Sequence, residues 1–286
     1  MTPSPGQETL TDSALPDWGT VELRLEGQIA TILLNRPAKL NALTPEMLDQ
    51  LEQLLARVDA DPDVRVVIVA SAGDRAFCTG ADIRRFAALD GAQMWAQWTR
   101  RGHQVFDRLA DLRQPTIAAV DGNAYGGGLE LALACDLRVV AEEATLGLTE
   151  VGLGTVPGWG GTQRLPHQIG SARAKELVFT GQPLSAVVAR EWGLVNRLVP
   201  AAQVAEEALR LAQDIACRAP VAVQVAKQAL DLAAGTGSGM AIEGLAAAAA
   251  AGVTDFSEGI DAFLQGRSPQ FTGLEPSAAQ REETET

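Results

Sequence analysis

Short apolar runs alternate with stretches of helical periodicity through the first half of the chain. VELRLEG (21–27) alternates apolar and polar positions, and QIATILLN (28–35) follows across a tight turn, so the two segments predict a β-hairpin. Arg36-Pro37 ends the second strand. Thr44 suits an N-cap and Pro45 the first helical position. Leu48, Leu51, Leu54, Leu55 and Val58 then share one face of a helix to about Asp59, which Asp61-Pro62 stops. VRVVIVA (64–70) is continuously apolar, as a strand buried on both faces requires. A loop from Ser71 to Thr79 leads to Gly80-Ala81-Asp82 and a helix through about Leu112. Pro115 ends that helix before a second buried strand, TIAAV (116–120). Asp121-Gly122-Asn123 reads as a turn, Gly126-Gly127-Gly128 as the opening of a helix through Ala134, and LRVVA (137–141) as another strand. Buried strands of four to six residues in this cadence predict a stacked α/β core.

After Leu165 the pattern turns helical, at about 171–180, 185–192, 203–217, 220–234, 239–252 and 255–265, with one short strand near LVNRLV (194–199). The Ala-rich GLAAAAAAG forms helix readily and presents a smooth surface, suited to a lid or a subunit interface. Residues 1–17, rich in Pro, Ser, Thr and acids, predict a disordered arm, and 273–286, ending QREETET, a matching tail. The expected division is a core with the active site over 18–200 and a helical region over 201–272.

Composition narrows the chemistry. The 286 residues are 47% hydrophobic, enough for a large core, but only 5% aromatic, so aliphatic side chains and Ala must build it. The formal net charge of -13 speaks against nonspecific nucleic-acid binding and against docking on anionic lipid. An anionic ligand would need a local cluster of Arg or Lys. No apolar run approaches the roughly 18 residues that span a bilayer, and Met1–Pro16 lacks the features of a signal peptide, so a cytoplasmic location is expected. Cys78, Cys135 and Cys217 form no CxxC pair and read as small buried hydrophobes, although Cys78 lies near a glycine motif where a thiol nucleophile must be weighed. His103 and His167, the two histidines, leave little for a zinc site or a His-based triad, and no metal is expected. Walker A, GxGxxG, GxSxG and HExxH motifs are all absent.

Three segments carry the candidate chemistry: AFCTGADI (76–83), DGNAYGGGLELALACD (121–136) and LTEVGLGTVPGWGGTQRL (148–165). Glycines at a helix start allow close backbone approach and leave amides unpaired beside the positive end of the helix. Gly126-Gly127-Gly128 therefore suits either a tight structural turn or a receptor for a developing oxyanion, with Gly80-Ala81 offering a second amide. Glu130 sits in the first turn of an otherwise apolar helix, as a dipole partner or an acid/base. Glu150, among Leu148, Val151, Leu153 and several glycines, is either a surface carboxylate at a helix start or a partly buried one with a raised pKa.

In this order the three segments resemble the crotonase (enoyl-CoA hydratase/isomerase) superfamily. LNRPAKLNAL (34–43) and DFSEGIDAFLQGR (255–267) also match its terminal signatures, so the resemblance runs from about Val21 to Phe271. It implies a spiral of ββα units with a C-terminal helical region, self-association as trimers or dimers of trimers, and an acyl-CoA substrate, with coenzyme A as part of the substrate and no cofactor. It assigns Ala81 and Gly127 as oxyanion-hole amides and Glu130 and Glu150 as the glutamate pair of a hydratase, with Glu130 orienting the water and Glu150 exchanging the proton at C2. The alternatives are an isomerase using Glu150 alone and a noncatalytic acyl-CoA- or RNA-binding member. The resemblance places the substrate along Arg36, Lys39, Leu40, Gly80, Asp82, Ile83, Gly126, Pro157, Gly158 and Trp159, with Arg36, Lys39, Arg84 and Arg85 as phosphate candidates. A neighbouring subunit's last helix would add Phe263, and Arg267 in place of the usual Lys. Trp159 stands where many members have a small residue. An indole near Glu150 would narrow the acyl pocket unless it packs outward, and with Trp95 and Trp98 nearby a short or flat acyl group is expected.

Overall fold

The protein is described by a computed structural model over residues 16–87, 89–232 and 253–273. Most of the expected N-terminal arm, the expected helix at 239–252 and the tail from 274 lie outside these residues. The strands in chain order are β1 (Thr20–Glu26), β2 (Ile29–Asn35), β3 (Val66–Ser71), β4 (Ala76–Cys78), β5 (Thr116–Val120), β6 (Asn123–Tyr125), β7 (Leu137–Ala141), β8 (Thr145–Gly147), β9 (Leu184–Ser185) and β10 (Arg197–Val199). The helices are α1 (Pro45–Ala60), α2 (Ile83–Ala87), α3 (Gly91–Gln93), α4 (Arg100–Ala110), α5 (Gly127–Ala134), α6 (Gly161–Ile169), α7 (Ser171–Thr180), α8 (Ala186–Glu191), α9 (Val204–Ala216), α10 (Pro220–Leu232) and α11 (Thr254–Gln265).

Two sheets organise the chain. The larger runs β1-β2-β3-β5-β7-β10, and the smaller β4-β6-β8-β9. The β1–β2 hairpin is antiparallel, with Thr20 opposite Asn35 and Glu26 opposite Ile29. From β2 onward the large sheet is parallel, with Ile29 beside Val66, Ile68 beside Ile117, and Val120 beside Val140. Each turn of the chain thus lays one strand in the large sheet, a short one in the small sheet, and then helix: β3-β4-α2, β5-β6-α5 and β7-β8-α6. This is the expected spiral of ββα units.

The apolar runs have a direct physical explanation. All five residues of β5 are buried, because both faces of a parallel sheet are covered. On one side α9 places Val204, Ala208 and Ala212, four residues apart and fully buried, against β3, β5 and β7. On the hairpin side α1 starts as expected. Thr44 Oγ1 accepts from the Met47 N–H at 3.2 Å, and Met47, Leu48, Leu51, Leu55 and Val58 are buried.

Several expectations need correction. The single helix expected up to Leu112 is broken into α2, α3, a π-helical stretch Met94–Thr99 and α4. Asp90 restarts the chain with a capping box: its Oδ1 accepts from Gln93 N–H at 2.8 Å, and Gln93 Oε1 accepts from Asp90 N–H at 3.0 Å. The turn expected at 121–123 leads directly into β6. The helix α6 was hidden by its opening glycines and by Pro166 inside it.

The contact that joins the small sheet to α5 is unusually close. A methyl group on Gly128 would sit 2.0 Å from the Cys78 carbonyl oxygen, at the end of β4. Neither partner is a side chain that can turn away. Gly128→Ala is therefore expected to destabilise the fold by about 1–3 kcal/mol, the usual cost of overpacking. Gly152→Ala, where nothing lies within 4 Å, should stay within about 0.5 kcal/mol of the parent. Urea midpoints measure both, and a Gly128→Ala protein that unfolds with the parent would contradict the contact.

Candidate active site

The first component is a loop with a free amide. Leu43 N–H donates to Gly80 O at 2.8 Å, and Asp82 N–H donates to Leu43 O at 2.9 Å, a parallel bridge between Leu43 and Ala81. The backbone alternates, so the Ala81 N–H faces away from Leu43; it has no acceptor among the described residues. The Gly127 N–H, at the first position of α5, is in the same condition. Gly80 brings the two together. Its φ is +92°, and a methyl group there would lie 3.0 Å from both Gly127 N and Tyr125 O. Ala81 and Gly127 therefore lie on adjoining stretches of backbone, each with an unpaired donor.

Side chains fasten this loop from behind. Asn41, at φ 54°, accepts from Arg36 N–H at 2.9 Å through Oδ1, and donates through Nδ2 to Ala72 O at 2.9 Å and Ala76 O at 3.0 Å. Leu40, also left-handed at φ 52°, accepts from Thr79 N–H through its carbonyl. Arg36 donates to Asp17 O, to Ala42 O and, at 2.7 Å, to Asp82 Oδ2. Asp82 Oδ1 in turn accepts from the Arg84 and Arg85 amides at the start of α2. Burial alone would raise the Asp82 pKa, but the hydrogen bond and charge of Arg36, with those amides, hold it below the usual carboxylate value.

These contacts correct part of the expected substrate contacts. Arg36 is 6% exposed and committed to three protein acceptors, so it is a clamp and not a phosphate ligand. The Asp82 carboxylate is equally committed. Arg85 pairs with Glu46 at 3.2 Å. Arg267 forms a two-point pair with Glu258 of its own chain, at 2.6 and 2.8 Å, which occupies the guanidinium expected to replace a Lys. Lys39 and Arg84 are exposed and make no side-chain bond among the described residues. Ile83 is exposed, as is Phe263 on α11. Pro157 is buried and Gly158 half-buried.

The two glutamates occupy the other side of the α5 N-terminus. Glu130 is 2% exposed, and its Oε1 accepts from the Trp159 and Gly161 amides, each at 2.8 Å. Burial raises its pKa, against which the amides of Gly161, Trp159 and Gly158 act. Glu150 begins a 3-10 turn, Glu150–Leu153. Its Oε1 lies 3.0 Å from where a methyl group on Gly126 would sit, so the glycine, at φ +52°, makes room for the carboxylate. Glu150 Oε2 is buried without a hydrogen-bond partner among the described residues. Burial first, and then the charge of Glu130, raise the Glu150 pKa to about 7. The site thus joins two unpaired amides, a carboxylate held by backbone donors, and a second carboxylate with an orphaned oxygen.

Trp159 does not pack outward. It packs inward, 3% exposed, against Gly127, with its ring centroid 5.4 Å from that of Trp98 and 5.3 Å from that of Phe106. Trp95 is exposed. The Cys78 thiol is buried and pushed up to about 12 by that burial, so it is a protonated core group and no nucleophile. Sequence reasoning passed over Asn41 and Gly161. Asn tolerates left-handed backbone, so an Asn between a strand and an N-cap was a readable signal. Gly161, the first residue of α6 at the end of a glycine run, could have been read as a second helix start with free amides.

A family profile described as enoyl-CoA hydratase/isomerase matches residues 24–274. The chain is 44% identical over 251 residues to the enoyl-CoA hydratase domain-containing protein 2, mitochondrial, of Bos taurus, covering 86% of this chain and 84% of that protein. It is 40% identical over 211 residues to the short-chain-enoyl-CoA hydratase of Clostridium acetobutylicum, covering 74% and 80%. Among solved structures, the enoyl-CoA hydratase of Bacillus anthracis superposes with a TM-score of 0.85 at 38% identity, over 88% of this chain and 98% of that one.

The charge arrangement has a measurable consequence. Glu150 should titrate near pH 7 when its carboxyl is followed by infrared or carbon NMR. Glu130→Gln should lower that midpoint, though not to 4.5, because burial remains the larger cause. The folded pKa lies above the ordinary 4.5, so the folded state binds this proton more tightly than the unfolded chain. Its contribution to stability is full below about pH 4.5 and is lost as pH rises through about 7. Urea midpoints of Glu150→Gln should therefore gain on the parent between those values. Identical pH slopes for the two proteins would contradict the raised pKa.

Proposed function

The chain belongs to the enoyl-CoA hydratase/isomerase family, and from that premise we propose that it adds water across the 2,3 double bond of a 2-enoyl-CoA thioester. The observation that carries this reading is the pairing of buried Glu130 with half-buried Glu150, whose Oε2 is itself withdrawn from water, beside two backbone amides unpaired among the described residues. An isomerase working through Glu150 alone has no use for a second carboxylate there.

In this mechanism the thioester oxygen accepts from the Ala81 and Gly127 N–H groups, which draws electrons from C3 and stabilises the enolate. One such donor is worth about 3–4 kcal/mol of transition-state stabilisation. A water held between the carboxyls attacks C3. Glu130, whose charged form is favoured by the amides on Oε1, orients that water and takes its proton. Glu150, near half-protonated at neutral pH, gives its proton to C2. The product is a 3-hydroxyacyl thioester, and the proton now on Glu130 returns the pair to its starting charge through solvent. Because the carboxyls interact, the pair titrates as a unit. Coenzyme A enters as part of the substrate, and the exposed Lys39 and Arg84 supply cations for its phosphates.

The same reading includes self-association as a homotrimer or dimer of trimers, and a cytoplasmic location. In support of the first, α11 exposes Phe256, Ile260, Phe263 and Leu264, an apolar face that a neighbouring subunit would cover. Light scattering on the purified protein measures the assembly. No helix among the described residues is long and apolar enough to cross a membrane.

The direct test is the loss of enoyl absorbance with trans-2-enoyl-CoA substrates. Glu130→Gln and Glu150→Gln should each lower kcat by about 10²–10⁴, with KM little changed. If Glu130→Gln keeps the parent's turnover, hydration by a glutamate pair is wrong and isomerisation through Glu150 replaces it. No turnover on any acyl-CoA would leave a binding protein.

A further inference from the structure

We infer that Trp159 is the closed end of the acyl site and restricts the enzyme to short 2-enoyl groups. This rests on the hydratase reading and adds the substrate class. The indole is seated by two glycines. A methyl group on Gly127 would lie 2.6 Å from its six-membered ring, and one on Gly102 would lie 2.1 Å from its Nε1. Gly102 is inside α4, where glycine weakens a helix, and the indole explains what it is for. The Nε1–H donates to Trp98 O at 3.3 Å, and the ring edge meets Phe106. A ring so held, 3% exposed, does not swing aside for a ligand.

Its position relative to the chemistry decides its role. The same residue that donates its main-chain N–H to Glu130 lays its ring on the Cα side of Gly127. The thioester oxygen is at the Gly127 amide and C3 at the water on Glu130. The carbons beyond C3 therefore leave the reacting centre beside Trp159, with Trp98 and Phe106 stacked behind it. On this inference a crotonyl methyl reaches no farther than the indole. A longer chain meets a rigid aromatic wall backed by Trp98 and Phe106.

Removing the indole opens a slot beside Gly102 and Gly127, which have no side chains to fill it. The main-chain N–H to Glu130 remains in any substitution. The test compares the parent, Trp159→Ala and Trp159→Leu on crotonyl-, octenoyl- and dodecenoyl-CoA, with circular dichroism to confirm folding. Calorimetric binding of the unreactive butyryl- and lauroyl-CoA runs alongside. The parent should favour crotonyl- over dodecenoyl-CoA by about tenfold or more in kcat/KM, and Trp159→Ala should raise the dodecenoyl-to-crotonyl ratio by about tenfold or more. Lauroyl-CoA should bind the variant more tightly than the parent by a similar factor. A parent that turns over dodecenoyl-CoA as well as crotonyl-CoA overturns the inference, whether or not the variants fold. So does a folded variant with the parent's ratio. Absence of hydration at every length, with binding still selective for the short chain, would instead remove the hydratase reading and keep Trp159 as the wall.

Discussion

The site exists because two stretches of backbone approach more closely than side chains allow. The end of β4 meets the start of α5 where Gly128 rests on the Cys78 carbonyl, and the loop beyond β4 meets it again where Gly80 rests on Gly127. A Cβ at either place would push the segments apart. Only at this separation do the free amides of Ala81 and Gly127 adjoin. The small sheet serves the same end. Its strands have two or three residues each, yet β4 beside β6 sets the height at which the loop and the helix start face each other.

Around that contact the structure spends charge to fix position. Breaking up a buried ion pair is costly, but making one adds little net stability, so the Arg36–Asp82 pair is poorly explained as a stability device. It is better explained by what it joins: the segment after β2 and the first turn of α2, with Ala81 immediately before Asp82. Asn41 does the same for the segment before β4, with three hydrogen bonds from one side chain. Together they set the orientation of a single N–H that makes no bond of its own.

Periodicity was enough to read the central strands of the large sheet, α1 and α9, because each buries a regular apolar face. It could not show β4, β6, β8 and β9, since two or three residues are too few to display alternation. Nor could it show the breaks between Ile83 and Ala110, which depend on the local cap at Asp90. Glu130 and Gly127 stood out by residue type, a carboxylate in an apolar helix and a glycine at its start, whereas the grouping of Ala81, Gly127, Glu130 and Glu150 as one site came from the family resemblance. The partners of the arginines were hidden for the opposite reason. A sequence displays a charge but not its partner, and Arg36 and Arg267 both turned out to be matched within the chain.

The glutamates show how one helix start assigns two roles to one residue type. Both carboxyls are withdrawn from water, which favours the proton on each. What separates them is the supply of backbone donors. Glu130 receives amides from the glycine run that opens α6, so the turn 158–161 stabilises its charge. Glu150 receives no amide from a neighbouring residue and faces the charge of Glu130, so it keeps its proton to about pH 7. In the proposed hydration this difference separates the acid from the base. The distinction is made by loops, through glycines whose main chain comes close enough to touch.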